Sequence, residues 1–276
     1  MSKASIQLSD HFTCGRLIRF TLPSITMMIF TAVYGVVDGF FVSNYAGKTP
    51  FAAVNLIIPV LLGLGCVGFM FGTGGSALVA KTMGEGDKHR ANQYFTMMIA
   101  VTLICGVIIS TVGVIYMEPI SVFLGADEEM LADCVLYGRI VLAFNTAFML
   151  QNVFQSFLIA AEKPKLGLWI TVAAGVTNMV LDALFMAVFH WGVAGAAIAT
   201  GISQVVGGVL PLVYFLRPNS SLLRMTKTKL ELRPILQASG NGASELVSNV
   251  TASVVGMLYN FQLLRLIGEN GVSAYG

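Results

Sequence analysis

The stretch FTLPSITMMIFTAVYGVVDGFFVS, residues 20–43, decides the fold. It is almost wholly apolar and is close to the ~20 residues that a helix needs to cross a bilayer. Only Pro23 and Asp38 break the pattern. A carboxylate that far inside a span costs about 2.5–3.5 kcal/mol on insertion. Asp38 therefore needs a polar partner or a functional role inside the membrane. The other polar residues within the spans are the candidate partners.

The composition is that of a membrane protein with several spans. Hydrophobic residues make up 56% of the chain, charged residues only 11%, and the mean hydropathy is +0.79. Soluble domains carry about 25% charged residues. The basic residues lie in short loops and form no basic face, so nucleic acid is not an expected partner. The N-terminus lacks the pattern of a removable signal peptide, and the first apolar span is read as a membrane helix.

Seven apolar spans follow one another along the chain. They lie near residues 17–44, 52–80, 92–117, 132–160, 166–189, 193–216 and 235–266. The sequence thus predicts an all-α integral membrane protein. Its first six helices form one N-terminal bundle, and the seventh begins a second bundle.

The basic residues predict the orientation of the chain in a cell membrane. One alternate set of loops holds thirteen of the sixteen Lys and Arg residues. The other set holds only Lys48 and Arg265, and Arg139 lies in the fourth span. Because loops rich in Lys and Arg stay in the cytoplasm, the N-terminus is predicted to be cytoplasmic. Arg139, near the outer end of its helix, is interpreted as reaching to the membrane surface.

A polar, basic segment bracketed by Pro218 and Pro234 divides the chain. We predict a six-helix domain at residues 1–216, a cytoplasmic linker at 217–234, and the start of a second bundle at 235–276. A shift of 221 residues aligns Gly47 with Gly268 and Ala53 with Ala274, a weak internal repeat of the kind found in transporters. If the repeat is real, the chain ends as its second half begins, with about five helices to follow.

Polar residues in other spans could form a proton or cation site together with Asp38. Asn178 and Asp182, four residues apart, lie on one helical face, and Thr200 follows a run of small residues that lets helices approach closely. Two carboxylates, an amide and a hydroxyl are the groups that a proton or a hard monovalent cation requires. The alternative is that each polar group is only hydrogen-bonded to a neighbouring helix.

Further polar and helix-bending residues are candidates for substrate handling or movement. Asn145, Asn152 and Gln155 fall roughly on one face of the fourth span, where they would either line an aqueous cavity or bond to neighbouring helices. Glu245 is the one acidic residue inside the seventh span. Pro23 would kink the first helix, either as a static kink or as a bending point that responds to Asp38.

No enzyme chemistry or metal site is predicted. The three histidines lie in separate loops, and neither a Gly-x-Ser-x-Gly nor a His-Glu-x-x-His motif occurs. The glycine-rich stretches at 63–75 and 83–87 lack the strand and the GK[ST] of a phosphate loop, so they are interpreted as packing and turn segments.

Three segments of this chain resemble the N-terminal half of a multidrug and toxic compound extrusion (MATE) transporter. They are FTLPSITMMIFTAVYGVVDGFFVSNYAGKTPFAAVNLIIP, GFMFGTGGSALVAKTMGEGD and TNMVLDALF. The likeness implies two facing bundles that export drug-like cations in exchange for H⁺ or Na⁺, with no cofactor beyond that ion. It also implies partners: the lipid bilayer, the drug-like substrates, and the C-terminal half that is missing here. Matched by position, Asp38, Asn178, Asp182 and Thr200 resemble the cation site, Pro23 the bending point, and Glu245 a carboxylate of the second bundle.

Two other functions are weighed against this one. A flippase for lipid-linked oligosaccharides or polyisoprenoids, from the same superfamily, should carry basic residues for phosphate. Arg139 is the only base more than a few residues inside a span. An intramembrane aspartyl protease would need Tyr-Asp and Gly-x-Gly-Asp motifs. Asp38 follows Val37 and Asp182 follows Leu181, so the protease is disfavoured.

Overall fold

The computed structural model describes residues 14–219 and 221–275. Every regular element within these residues is helical, and seven helices are long and apolar enough to cross a membrane. The predicted fold class is therefore confirmed. The α-helices are α1 (Cys14–Phe41), α2 (Lys48–Gly84), α3 (Lys88–Phe123), α4 (Glu128–Ala160), α5 (Pro164–Asp182), α6 (Gly192–Leu216), α7 (Leu232–Ile267) and the short α8 (Glu269–Tyr275).

Several helix ends follow from local chemistry. Asp87 caps α3 by accepting a hydrogen bond from the backbone N–H of Arg90, at 3.0 Å, and Asp127 caps α4 in the same way through Met130, at 2.9 Å. Pro164 occupies the start of α5, where its missing N–H costs nothing. Polar turns thus separate helices whose interiors are almost uniformly apolar.

Helix α4 lies at the centre of the bundle. It packs on α2, α3 and α6 and also contacts α5, whereas α1 packs chiefly on α5. Two clusters of buried apolar side chains fill the bundle, and one contains the ring contacts of Phe95, Phe157 and Phe215. α7 lies along α2, where Gly74 and Gly242 face the backbone of the opposite helix. Small residues allow this close crossing.

The outer faces of the helices are apolar, as expected for a protein in lipid. On α3, for example, Ile104, Ile108, Val112 and Ile115 are exposed along one face. A water-soluble bundle would bury such a stripe, so its natural surroundings are acyl chains. The chain is a multi-pass membrane protein.

Two helices change their winding near the predicted cation site. α1 passes into a π-helical segment at Val42–Ala46, four residues after Asp38, and α5 passes into another at Ala183–Val188, directly after Asp182. The two π-helical segments contact each other. Such segments are rare and occur frequently at functional sites.

The glycines of the predicted repeat occupy equivalent places. Gly47 has φ 102° and separates the end of the first span from α2, and Gly268 has φ 77° and separates α7 from α8. Both are in the left-handed region that favours glycine. The layout behind the repeat is therefore present, while the division into domains stays a prediction. Lys3, one of the basic residues used for the orientation, lies outside the described residues.

The linker is polar, but hydrogen bonds and one buried leucine hold it against α3. The backbone N–H groups of Arg224 and Thr226 donate to the side chains of Asn92 and Thr96 on α3, at 2.9 and 3.0 Å. Leu223 is fully buried in one of the two apolar clusters. Residues 223–231 therefore lie along the start of α3 as a strap that hydrogen bonds hold in place.

Candidate functional site

Three helices supply one cluster of buried polar groups. Asn178 and Asp182 lie on α5 and are 1% and 0% exposed. Asp38 on α1 and Thr200 on α6 are half-buried as residues, but Asp38 Oδ1 and Thr200 Oγ1 are fully enclosed. α5 packs on both α1 and α6, which positions these side chains.

The two carboxyl groups meet. The side chains of Asp38 and Asp182 approach each other within hydrogen-bonding range. Ionised carboxylates are acceptors only, so neither can satisfy the other unless a proton or a cation lies between them. In keeping with this, Asp38 Oδ1 and both carboxylate oxygens of Asp182 have no hydrogen-bond partner among the described residues.

The amide and the hydroxyl are also unsatisfied. Asn178 Oδ1 and Thr200 Oγ1 are buried without a partner in the described part of the chain. Each of the four predicted residues thus carries at least one buried oxygen that nothing in the described residues satisfies. A buried acceptor without a partner costs about 1–3 kcal/mol. Carbonyl, hydroxyl and carboxylate oxygens are the ligands that hard cations prefer.

Sequence reasoning missed two neighbours of this cluster. Tyr137 on α4 is 3% exposed and lies beside Thr200 and near both carboxylates. A tyrosine inside an apolar helix gives no periodic signal, so only the packing of α4 on α6 reveals it. Gln204 has a buried Oε1 without a partner in the described residues and follows Thr200 by four positions. The same spacing that links Asn178 to Asp182 could have identified it.

The three polar residues of α4 bond within the bundle. Gln155 Nε2 donates to Thr171 Oγ1 on α5 at 3.4 Å, and Asn152 Nδ2 donates to the carbonyl of Phe148 at 2.9 Å. Asn145 is 3% exposed. Its Oδ1 faces α2, where a Cβ added to Gly65 would lie 3.3 Å away. The sequence left open whether these three residues line a cavity or bond to neighbouring helices. Of the three, only Gln155 donates a hydrogen bond to another helix. Their role in a cavity wall stays a prediction.

The remaining candidates lie elsewhere. Glu245 on α7 accepts a hydrogen bond from Asn249 Nδ2 at 3.1 Å; α7 packs along α2, away from the carboxylate pair. Pro23 is buried within α1, which continues without interruption through it. Arg139 is 3.7 Å from Glu118 at one end of the bundle, and both side chains are largely exposed. That position fits a side chain that reaches the membrane surface.

Comparison with known proteins gives both a family match and similar individual proteins. The sequence model of the MatE family matches residues 23–184. The multidrug export protein MepA of Staphylococcus haemolyticus is 25% identical over 264 residues, which cover 94% of this chain and 58% of MepA. The chain therefore spans less than two thirds of the length of the curated relatives it matches.

Solved structures match the fold closely. One is an inward-facing conformation of a multidrug resistance MATE family transporter of the MOP superfamily, with a TM-score of 0.84 and 26% identity. It aligns with 94% of this chain and 59% of its own. An outward-facing conformation of such a transporter also has a TM-score of 0.84, with 25% identity, over 94% of this chain and 58% of its own.

Proposed function

The chain belongs to the MatE family, and from this premise we propose that it acts in a cation-coupled antiporter that exports lipophilic or cationic drugs across the cell membrane. The names of its relatives support export of drugs. The coupling ion, H⁺ or Na⁺, would occupy the cluster of Asp38, Asn178, Asp182 and Thr200. Its binding would shift an equilibrium between two conformations of the transporter, because only an ion that binds one form better can do so.

The observation that carries the proposal is the set of unsatisfied oxygens around the carboxylate pair. Asp38 and Asp182 come from different helices and meet inside the bundle without a donor between them. A proton or Na⁺ between them would remove the repulsion and satisfy the orphaned oxygens together. A purely structural pair would place a donor there instead.

The likeness to two transporter conformations supports alternating access. The chain matches the inward-facing and the outward-facing structures with the same TM-score of 0.84. Equal likeness to the two forms is consistent with a bundle that keeps its internal packing in both. We therefore propose that this bundle moves as one rigid body, with bending confined to α1 near Pro23.

The drug pathway would need a second wall. The matched relatives are longer than this chain, and we propose that a second bundle of the same protein faces the first. Asn145, Asn152, Gln155 and Glu245 are the proposed contacts of drug-like cations in the cavity between them. The N-terminus is proposed to lie in the cytoplasm, on the strength of the basic loops.

A flippase is the less favoured alternative. Its phosphate-bearing substrate calls for basic groups inside the membrane, and Arg139 lies at one end of the bundle beside Glu118. The names of the matched relatives favour drug export as well.

The proposal is tested by Asp38→Asn in the complete protein, expressed in cells loaded with a fluorescent cationic dye. We expect efflux driven by a pH or sodium gradient to be abolished, with membrane insertion intact. Glu129→Gln removes one negative charge from an exposed position at the start of α4 and should leave efflux unchanged. Undiminished efflux by Asp38→Asn would contradict the proposal.

A further inference from the structure

A polar cavity, separate from the carboxylate cluster, lies where the linker crosses the beginning of α3, at an end of the bundle that is predicted to face the cytoplasm. Its volume is about 440 Å³. Arg90, Tyr94 and Met97 line it from α3, and Lys227, Lys229 and Glu231 line it from the linker. α3 packs on α2 and α4, so this cavity belongs to a different part of the bundle from the carboxylate pair.

Hydrogen bonds fix the wall that the linker provides. The backbone bonds from Arg224 and Thr226 to α3 come immediately before Lys227. Met97, only 1% exposed, closes the inner side of the cavity. The two lysines are therefore carried by an anchored strap and face α3 across a defined space.

The charges that line the cavity do not balance. Three cationic side chains face one carboxylate, which leaves an excess of two positive charges. None of the four forms an ion pair with any residue that the structure describes. The hydroxyl of Tyr94 is likewise without a hydrogen-bond partner among those residues. Guanidinium, ammonium and phenol groups that line one cavity are donors suited to phosphate oxygens.

Apolar residues on the same linker and helix indicate that the phosphate belongs to a lipid. The cavity lies at the ends of two membrane helices, α3 and α7, and the same linker and the start of α7 carry exposed leucines. These leucines are Leu222, Leu230, Leu232 and Leu236. A dissolved anion would not contact these leucines, whereas the acyl chains of a lipid would cover them.

We propose that this cavity binds the phosphate headgroup of an anionic phospholipid, with Arg90, Lys227 and Lys229 as its main ligands. The lipid would lie with its acyl chains over the leucines at the start of α7. The proposal concerns a site separate from the drug pathway and does not depend on the exported compound.

The test is equilibrium binding of phosphatidylglycerol to the purified chain in detergent micelles. Phosphatidylcholine with the same acyl chains and inorganic phosphate serve as the other two ligands. We expect saturable binding of phosphatidylglycerol and no comparable binding of the other two. The double variant Lys227→Gln/Lys229→Gln should bind about 25-fold more weakly, since each basic residue near an anionic lipid contributes about fivefold.

Two further variants keep the test decisive. Lys227→Arg/Lys229→Arg keeps both charges and should retain binding. Lys81→Gln/Lys165→Gln removes two charges outside the cavity, from the last turn of α2 and the first turn of α5, which are predicted to lie on the same membrane face. This variant should bind as the unaltered chain does. Equal weakening by this control would mean a diffuse surface attraction. Phosphate binding as tight as that of the lipid would mean a soluble ligand. Either result would overturn the proposal.

Discussion

The carboxyl groups of Asp38 and Asp182 approach each other with no donor between them, and this determines how the pair should respond to substitution. In Asp38→Asn the new amide can donate a hydrogen bond to the orphaned oxygens of Asp182. In Na⁺-free buffer at alkaline pH we expect the free energy of unfolding to rise by about 1 kcal/mol, the usual net contribution of one hydrogen bond. Thermal unfolding in detergent would measure it.

Asp38→Ala is the control for that experiment, because it removes the carboxylate without supplying a donor. It should not gain the stability that the amide provides. If Asp38→Asn were strongly destabilising under these conditions, Asp182 would have to have a donor already, and the pair would be a structural contact.

The residues of this cluster differ in how far sequence could identify them. Asp38 and Asp182 stand out because charge is rare and costly inside a span, and Asn178 follows from helical spacing. Thr200 was found only through the small residues that precede it. Tyr137 was missed because an aromatic ring in an apolar helix looks like ordinary packing. Which side chains share a site depends on how four helices pack, and no local pattern encodes that.

Among the helices, α1 offers a direct test of movement. Pro23 lacks an N–H, so it breaks one bond of the helical ladder and favours a bend. Pro23→Ala restores that donor and favours a straight helix by up to about 3 kcal/mol. If bending accompanies transport, dye efflux by the complete protein should slow about tenfold or more, while cation binding at the carboxylate pair is unchanged.

Pro59→Ala provides the matched comparison. Pro59 lies inside α2, where it contacts α7 at Gly256, and is interpreted as a static kink. Its replacement should leave the efflux rate nearly unaltered. Equal slowing by both variants would assign Pro23 a structural role only.

The crossing of α2 and α7 depends on the absence of side chains. A Cβ added to Gly74 would collide with the backbone carbonyl of Ala238, whereas a Cβ added to Gly240 meets nothing within 4 Å. We expect Gly74→Ala to lower the free energy of unfolding by about 1–3 kcal/mol through overpacking. Gly240→Ala should raise it by up to about 1 kcal/mol through helix propensity. Chemical denaturation of both variants in detergent measures the difference, and equal effects would refute the close crossing.

The membrane helices were largely predictable, because each needs a long apolar run and every predicted span lies within a few residues of a helix. The ends of the helices were less predictable, because helices such as α2 extend beyond the apolar core on both sides. The π-helical segments after Asp38 and Asp182 were not predicted. They change the hydrogen bonding over one turn and leave no period in the sequence.

For the whole molecule, the described structure is a bundle with a closed polar site on one side and α7 lying along α2 on the other. The internal repeat predicted a long span, a glycine turn and a new helix in each half, and Gly47 and Gly268 both lie at such a turn with a positive φ. The order of the helices around α4 and the ordered strap on α3 could not be read from the sequence, because both arise from contacts between distant segments.

The central claim is that Asp38 and Asp182 together hold one proton or one Na⁺ inside the bundle. The most direct measurement is infrared difference spectroscopy of the carboxylic acid band during a pH titration, with and without Na⁺, paired with equilibrium binding of radioactive sodium. The claim predicts one shared proton, or one bound Na⁺ that replaces it, and loss of both signals in Asp182→Asn. Two carboxylates that stay ionised without a bound cation, or signals that survive in Asp182→Asn, would contradict it.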